Sequence, residues 1–174
     1  MKYDTIKKIL KALNDAKVRY AVAGGVAVVS YGYARFTKDL DLIIDLEREN
    51  LLKGLNALAS VGYKTKIPVT FEAFANEENR KRWKEEKGML VLPLYSDQDW
   101  ETTVDVFSSP VINFDSPNVT ERMEAAPGLF APILGLHELI RLKKEAGRPQ
   151  DLIDIQKLEF FLHERNRTKN SPNG

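Results

Sequence analysis

The N-terminal part of the chain alternates between two hydrophobic periods, one typical of helices and one typical of strands. Apolar positions at helical spacing open the sequence at Ile6, Ile9, Leu10 and Leu13. The apolar run over 18–23 ends at Gly24 and Gly25 and predicts a buried strand followed by a tight turn. The small apolar residues over 26–33 predict a short buried helix. Acidic and aliphatic residues then alternate over 39–45, which predicts another strand.

The middle of the chain is more polar, and its elements are marked by glycine and proline, which break helices and strands, as much as by hydrophobic periodicity. The pattern predicts, in order, a helix over 47–60, a strand over 63–70, a charged helix over 72–87 and paired strands over 89–95 and 102–107. Gly62 is placed to end the first of these helices, and Pro68 weakens the strand that follows it. The charge of 72–87 is typical of a solvated helix face.

The last third of the chain predicts two helices that meet at a glycine and a proline. Leu136, Leu139, Ile140 and Lys143 fall on one face of a helix that stops at Gly147, and Pro149 stands where a new helix can begin. No repeat or low-complexity linker divides the chain. We expect one α+β domain over 1–166, with the helical pair at about 135–166, and a flexible tail over 167–174.

Composition narrows the classes of chemistry more than it narrows the fold. The 174 residues suit one domain, and 43% hydrophobic with 29% charged residues excludes a disordered, collagen-like or coiled-coil chain. The absence of cysteine removes disulfide frameworks and thiol nucleophiles, and two histidines are too few for a polyhistidine metal site. A net charge of +1 argues against strong binding of duplex nucleic acid. The sequence shows no targeting or membrane-spanning segment, so we expect a soluble, cytoplasmic protein.

Three aspartates are the first candidates for chemistry. Asp39 and Asp41 are two positions apart on a predicted strand, so their side chains point the same way from Cα atoms roughly 6.6 Å apart. Converging carboxylates suit Mg²⁺, although an isolated Asp-x-Asp is more often a pair of exposed acids on an edge strand. Asp105 stands between valines in another predicted strand, where burial is costly without a partner. A metal shared with the other two acids and a hydrogen bond to the backbone explain it equally well.

The surroundings of the first two acids favour the metal interpretation. Gly24 and Gly25 lie between a predicted strand and a predicted helix, where glycine lets the backbone approach a ligand and a helix N-terminus favours phosphate. A simple tight turn is the alternative. Arg35 and Lys38 can neutralise phosphate charge, and Thr37 can hydrogen-bond or cap.

Taken in order, these motifs carry a resemblance to a known superfamily. They are Ala23-Gly24-Gly25-Val26-Ala27, Tyr31-Gly32, Arg35-x-Thr37-x-Asp39-x-Asp41, Val104-Asp105-Val106, and a lysine followed by Gly147-Arg148-x-x-Asp151. The sequence resembles the nucleotidyltransferase superfamily of the DNA polymerase β type. More narrowly, it is similar to small prokaryotic members related to the AbiEii toxins and the aminoglycoside nucleotidyltransferases. The resemblance covers about 18–158, and the stretch over 63–100 matches no motif of these proteins.

The resemblance implies a fold, a reaction and a set of metal ligands. The fold is a mixed sheet flanked by helices, with a C-terminal helical pair. The reaction is transfer of a nucleoside monophosphate from an NTP to a hydroxyl, with two Mg²⁺ ions that Mn²⁺ can replace. Asp39, Asp41 and Asp105 are the implied catalytic residues and metal ligands, and Asp105 also helps to activate the acceptor hydroxyl.

The resemblance also implies which residues meet the nucleotide and its phosphates. They are Gly24, Gly25, Arg35, Thr37, Lys143, Arg148 and Asp151. Many members carry a serine where this chain has Gly25, so a hydroxyl that can contact phosphate is missing here. Lys144 follows Lys143 directly, which leaves two candidates for the motif lysine.

Several partners and roles are compatible with this reading. The NTP is one substrate, and the acceptor hydroxyl belongs to a small molecule, an RNA or a protein. The alternative is a non-catalytic nucleotide-binding or regulatory protein, with a partner protein in a toxin–antitoxin pair. A second Asp-x-Asp, formed by Asp97 and Asp99, lies in a polar turn and is expected to be solvated. Asp154 is expected to support a helix or contacts behind the site.

Overall fold

The structure, a computed structural model, describes residues 3–169 and contains a seven-stranded mixed sheet flanked by helices. Along the chain the elements are α1 (Tyr3–Asp15), β1 (Tyr20–Val22), α2 (Gly24–Ser30), β2 (Asp39–Ile44), α3 (Arg48–Ser60), β3 (Tyr63–Thr65), α4 (Phe71–Ala75), α5 (Glu77–Lys87), β4 (Val91–Ser96), β5 (Thr103–Phe107), β6 (Thr120–Ala126), β7 (Leu129–Leu134), α6 (Leu136–Ala146) and α7 (Pro149–Lys169). The predicted α+β class, with its mixed sheet and C-terminal helical pair, is confirmed.

The strand order brings distant segments of the chain into adjacent rows. The order across the sheet is β3-β4-β5-β2-β1-β7-β6. β2 runs parallel to β5 with Asp41 opposite Asp105, and β4 runs antiparallel to β5 with Pro93 opposite the same aspartate. Because partners in register share one face of a sheet, these three side chains lie in one row on one face.

The opposite face of the same three strands forms part of the hydrophobic core. The side chains on that face are fully buried: Leu40 and Leu42 on β2, Val104 and Val106 on β5, and Leu92 and Leu94 on β4. Because side chains alternate along a strand, burying these leucines and valines directs the intervening aspartates away from the core. The predicted alternation over 39–45 therefore sets the direction of the site.

Three local predictions were wrong. Gly24 and Gly25 are the first residues of α2 and do not form a separate tight turn. The predicted helix over 72–87 is two helices, because Asn76 ends α4 and its side chain accepts a hydrogen bond from the backbone N–H of Asn79 at the start of α5. The predicted strand over 63–70 ends at Thr65.

The β6–β7 hairpin was missed by the sequence analysis. β6 reads Thr-Glu-Arg-Met-Glu-Ala-Ala and lies at one edge of the sheet, so it carries little of the hydrophobic alternation of a half-buried strand. β7 contains Pro132, and a proline within an apolar run argues against a strand. The hairpin also has an irregularity between Glu124 and Ala126, which breaks its period.

The C-terminal helices match the prediction closely. Leu136, Leu139, Ile140 and Lys143 are the buried face of α6, and Gly147 adopts a φ of +63° at its end. α7 continues to Lys169, and positions 170–174 of the expected tail lie outside the described residues. A single domain over 1–166 stays a prediction. No helix within residues 3–169 combines the length and the apolar character needed to cross a membrane.

The packing of β7 against β1 predicts a large effect of truncating Ile133, which is fully buried and paired with Val22. We expect Ile133→Ala to lower the free energy of unfolding by about 2–5 kcal/mol, measured by urea denaturation, because it leaves a cavity in the core. Ile153→Ala removes the same atoms from a side chain that is 45% exposed and should change it by less than about 1 kcal/mol. Equal losses would show that β7 does not contribute to the core.

Candidate active site

One cleft contains all the residues that the sequence analysis assigned to the site. It has a volume of about 1010 Å³ and lies on the face of β2, β4 and β5 that carries the aspartates. Its lining includes the predicted residues Gly24, Gly25, Arg35, Thr37, Asp39, Asp41, Asp105, Lys143, Arg148 and Asp151. Segments more than 100 positions apart in the sequence therefore meet at this cleft.

All three aspartates line the cleft, and two of them are direct neighbours across the sheet. Asp41 and Asp105 are Cα partners on adjacent parallel strands, which lie about 4.8 Å apart. Asp39 stands two positions earlier on β2, opposite Thr103, and its carboxylate accepts a hydrogen bond from the hydroxyl of that threonine. The third acid is therefore turned toward β5, beside the pair.

The environment of Asp41 disfavours its charged form. Burial, followed by the negative charges of Asp105 and Asp39, raises the pKa of Asp41 to about 6. The positive charges of Lys143 and Arg148 act in the opposite direction and only partly offset this. The carboxylate of Asp41 is therefore held in the cleft at a cost in stability, as is common at functional sites.

Asp105 has a similar environment with a different set of cations. Burial and the charge of Asp39 raise its pKa, whereas the positive charges of Lys66 and Arg148 lower it. Because the charge of Arg148 acts on both half-buried acids, this exposed side chain just before α7 contributes to the electrostatics of the site.

The two glycines are required by protein side chains that pack against them. Gly24 has a φ of +59°, and a Cβ built on it would lie 1.7 Å from Oδ2 of Asp41. A Cβ on Gly25 would lie 2.5 Å from Oγ1 of Thr37 and 2.7 Å from Nη2 of Arg35. The close approach that the sequence predicted is therefore made by Asp41, Thr37 and Arg35, and contact with a triphosphate stays a prediction.

The structure separates the two candidate lysines. Lys143 is 6% exposed, and its ammonium donates to Oδ1 of Asp151 at 3.0 Å and to Oδ2 of Asp154 at 2.6 Å. Lys144 is exposed and pairs with Glu159 of α7 at 2.9 Å, away from the cleft. Lys143 is therefore the lysine of the cleft, but two carboxylates already hold its ammonium.

Asp154 lies behind the cleft, as the sequence analysis expected, and does not line it. It is fully buried, its Oδ1 lies 3.2 Å from Nε of Arg35, and it accepts a hydrogen bond from Gln150 at 3.0 Å. Together with its contact to Lys143, this carboxylate links α6, α7 and the loop before β2. Its spacing of three residues from Asp151 on a helix was the available signal, because such residues share a face.

The second Asp-x-Asp contains one error of prediction. Asp97 is exposed and pairs with Lys64 at 2.6 Å, as expected for a solvated acid. Asp99 is buried and accepts hydrogen bonds from the hydroxyls of Thr5 and Thr102. The prediction of solvation is therefore wrong for Asp99, which helps to attach α1 to the turn before β5.

Comparison with solved structures identifies the architecture. The chain superposes on the crystal structure of the lincosamide antibiotic adenylyltransferase LnuA with lincomycin bound, with a TM-score of 0.59 and 15% sequence identity over 91% of this chain and 97% of that chain. The chain has a nucleotidyltransferase fold. No protein-family model matches the sequence, and no curated protein matches it. The narrower resemblance to AbiEii-type proteins stays a prediction.

The nucleotidyltransferase fold implies divalent metals, whose ligands would have to come from the acids of the cleft. No group of three or more His, Cys, Asp or Glu side chains within residues 3–169 is placed to hold a metal ion. The donors nevertheless fit a hard cation, because carboxylate oxygens are its preferred ligands. A cation would also relieve the repulsion between Asp41 and Asp105 that raises the pKa of Asp41.

The raised pKa of Asp41 predicts a pH dependence of stability in the metal-free protein. Its native pKa of about 6 exceeds the unfolded value of about 3.9, so the native state binds more protons between these values. The contribution of Asp41 to stability therefore falls as the pH rises from about 4 to about 6 and stays low above that range.

Asp41→Asn removes this effect, so we expect the variant to exceed the wild type in free energy of unfolding by about 2–3 kcal/mol at pH 7, and by much less near pH 4. Urea denaturation in EDTA at several pH values measures the difference. A difference that does not vary with pH would contradict the assignment, and ¹³C NMR titration of the Asp41 carboxyl group gives an independent midpoint.

The buried contacts of Asp154 predict a second effect on stability. Asp154→Asn leaves Lys143 and Arg35 with less compensating charge, so we expect a loss of about 3 kcal/mol or more in the free energy of unfolding. Glu159→Gln breaks the exposed pair with Lys144 and should cost less than about 1 kcal/mol, because water screens that pair. Urea denaturation measures both losses in free energy of unfolding. Similar losses in the two variants would mean that Asp154 is not tightly coupled to Lys143 and Arg35.

Proposed function

We propose that the protein is a metal-dependent nucleotidyltransferase that moves a nucleoside monophosphate from an NTP to the hydroxyl of an acceptor. The observation that carries the proposal is the in-register pair of Asp41 and Asp105, beside Asp39, in a cleft bordered by Lys143 and Arg148. Burying like charges is unfavourable, and a site that holds cations and a polyphosphate gives a chemical reason for it.

Asp39, Asp41 and Asp105 are the residues that would hold divalent cations. Mg²⁺, or Mn²⁺ in its place, would neutralise the charge that develops on the reacting phosphate oxygens, in the way that two-metal sites generally do. Three carboxylates oppose a double-metal charge of +4 with −3, so one positive charge remains to attract the polyphosphate.

The reaction requires positioning and one proton transfer from the protein's own residues. The acceptor oxygen forms a bond to the α-phosphorus, the bond from that phosphorus to the bridging oxygen breaks, and pyrophosphate leaves. Asp105 takes the proton of the acceptor hydroxyl, because a carboxylate within hydrogen-bond reach of that oxygen can act as a general base. Arg35, Thr37 and Arg148 orient and neutralise the phosphates.

The role of Lys143 differs from that of a mobile phosphate-binding lysine. Its ammonium is held by Asp151 and Asp154, and its charge lowers the pKa of Asp41. We assign Lys143 to holding α6 and α7 together at the cleft, through Asp151 and Asp154, and to balancing the charge of Asp41.

A small hydroxylated molecule is the acceptor class that the fold comparison favours. The LnuA structure with this fold contains bound lincomycin, so lincomycin is the first acceptor to test. RNA and protein hydroxyls are the other acceptor classes. The non-catalytic alternative is not favoured, because nucleotide binding alone does not explain three acids in one cleft. The toxin–antitoxin partner stays a prediction.

Nucleotide binding and transfer supply the test of the proposal. We expect an NTP to raise the melting temperature only when Mg²⁺ or Mn²⁺ is present, because polyphosphate and acids repel each other without a cation. Transfer of label from an α-labelled NTP to lincomycin or to acceptors in a cell extract should fall roughly 10³-fold or more in Asp41→Asn and Asp105→Asn, because each removes a charge that the transition state needs.

Asp97→Asn is the matched control, since it makes the same substitution at an exposed aspartate outside the cleft and should leave transfer unchanged. Wild-type rates in Asp41→Asn and Asp105→Asn would refute the catalytic assignment. Metal-dependent NTP binding without transfer to any acceptor class would support the non-catalytic alternative.

A further inference from the structure

The acid pair divides the cleft into two sides of different chemistry. On one side, the backbone N–H of Ala23 at the end of β1 donates to the carbonyl of Asp41, and Gly24 and Gly25 follow directly. On the other side, β4 is the neighbour of β5, with Pro93 opposite Asp105. The strand order β4-β5-β2-β1 therefore places Asp41 next to the glycine side and Asp105 next to the β4 side.

The β4 side of the cleft is lined by apolar residues, which we call the apolar wall. Its members are Ile67, Met89, Leu90, Val91, Pro93 and Phe107. Phe107 follows Asp105 by two positions on β5 and pairs with Val91, so it shares the face of the aspartate. An apolar surface therefore begins immediately beside the acid that is proposed to take the acceptor's proton.

Leu90 is the exposed member of the apolar wall, whose other five residues are half-buried, and the backbone around it is fixed. Leu90 is 61% exposed, yet its carbonyl accepts a hydrogen bond from the backbone N–H of Ser108 at 3.0 Å. The hydroxyl of Ser108 donates to the carbonyl of Met89 at 2.8 Å, and the backbone N–H of Met89 donates to the carbonyl of Trp83 at 3.2 Å. A large apolar side chain held in place beside a cleft is typical of a preformed ligand contact.

The charges around the apolar wall exclude one class of ligand. Apart from the three site aspartates, the acids that line the cleft are Asp151 and Glu145, and both already accept hydrogen bonds from basic residues of α6. α5 contributes Lys84 and Lys87, neither of which forms an ion pair with another residue in 3–169. A molecule with several positive charges would meet like charge here, whereas a neutral or anionic molecule would not.

The size of the cleft allows two small molecules to bind together. Its volume of about 1010 Å³ lies at the upper end of the range of about 300–1,000 Å³ that is usual for a pocket with one drug-sized ligand. A nucleotide on the glycine side therefore leaves space on the β4 side for a small acceptor.

From these observations we infer that the apolar wall is the acceptor subsite, and that the acceptor is a small hydroxylated molecule with an apolar face and no cluster of positive charges. The inference rests on the proposed function, because Asp105 must reach the acceptor hydroxyl. An acceptor packed on Leu90 and Phe107 presents its hydroxyl to Asp105 from the β4 side, while the nucleotide occupies the side of Asp41 and Gly24.

The test uses 1-anilinonaphthalene-8-sulfonate, an apolar fluorescent anion, as a probe of the apolar wall. We expect one equivalent to bind with a rise in fluorescence, both without nucleotide and with saturating ATP and Mg²⁺. Leu90→Ser should weaken binding of the dye by about tenfold, because it removes an apolar contact. Leu152→Ser is the matched control, since Leu152 is 59% exposed on α7 and does not line the cleft, and it should leave the dye affinity unchanged.

Competition distinguishes the remaining outcomes. Kanamycin, a polycationic aminoglycoside, should not displace the dye. Displacement by kanamycin would overturn the inferred acceptor class, and displacement by ATP with Mg²⁺ would mean that the wall holds the nucleotide. No binding, or equal binding by both leucine variants and the wild type, would show that the wall is not a ligand subsite.

The same samples separate this inference from the proposed function. If none of the four NTPs raises the melting temperature in the presence of Mg²⁺, the proposed function fails whatever the dye does. If ATP with Mg²⁺ raises the melting temperature but the dye is displaced by it or is insensitive to Leu90→Ser, only the assignment of the acceptor subsite fails.

Discussion

The placement of Asp41 and Asp105 side by side on parallel strands is the constraint on which the rest of the site depends. Two carboxylates in one row, partly removed from water, repel each other and resist ionisation. The surrounding chain accommodates this unfavourable arrangement. Gly24 lacks a side chain where the carboxylate of Asp41 lies, and the core leucines and valines on the opposite face prevent the strands from turning their acids away. The fold thus keeps a pair of charges that stability alone would not select.

The C-terminal helices and the loop before β2 place a cluster of fixed charges beside this acid pair. Lys143 and Arg35 on one hand, and Asp151 and Asp154 on the other, form a cluster in which two positive and two negative charges balance. Internal balance allows ions to be buried without an uncompensated charge. Because Lys143 is immobilised in this cluster, its charge acts on Asp41 from a fixed position. The net charge of the chain is therefore near zero, although charges of both signs lie close together around its cleft.

The sequence predicts the parts of this arrangement that depend on neighbours in the chain. The alternation over 39–45 gives β2 its strand and its buried face, and the motif order brings Asp105 and Lys143 into the site. It does not predict β6, a polar edge strand stabilised by pairing with β7. It predicts that Asp154 acts behind the site, but not its contact with Arg35, because that contact joins residues that are far apart in the chain. The predicted apolar face of α6 already contained Lys143, and the burial of that face in the structure decides between Lys143 and Lys144.

The position of β5 between β2 and β4 links the proposed catalysis to acceptor choice. In the proposed reaction Asp105 shares cations with Asp41, which requires β5 to be the neighbour of β2, as it is in the structure. β4 precedes β5 in a hairpin, and pairing places it on the free side of β5, where Val91 and Pro93 extend the surface beyond Asp105. β5, the strand that supplies Asp105, thus lies in the same hairpin as much of the apolar wall. If the inferred subsites are right, changes in β4 and in the segment before it alter the choice of acceptor, while the glycine side, where the nucleotide is proposed to bind, keeps its geometry.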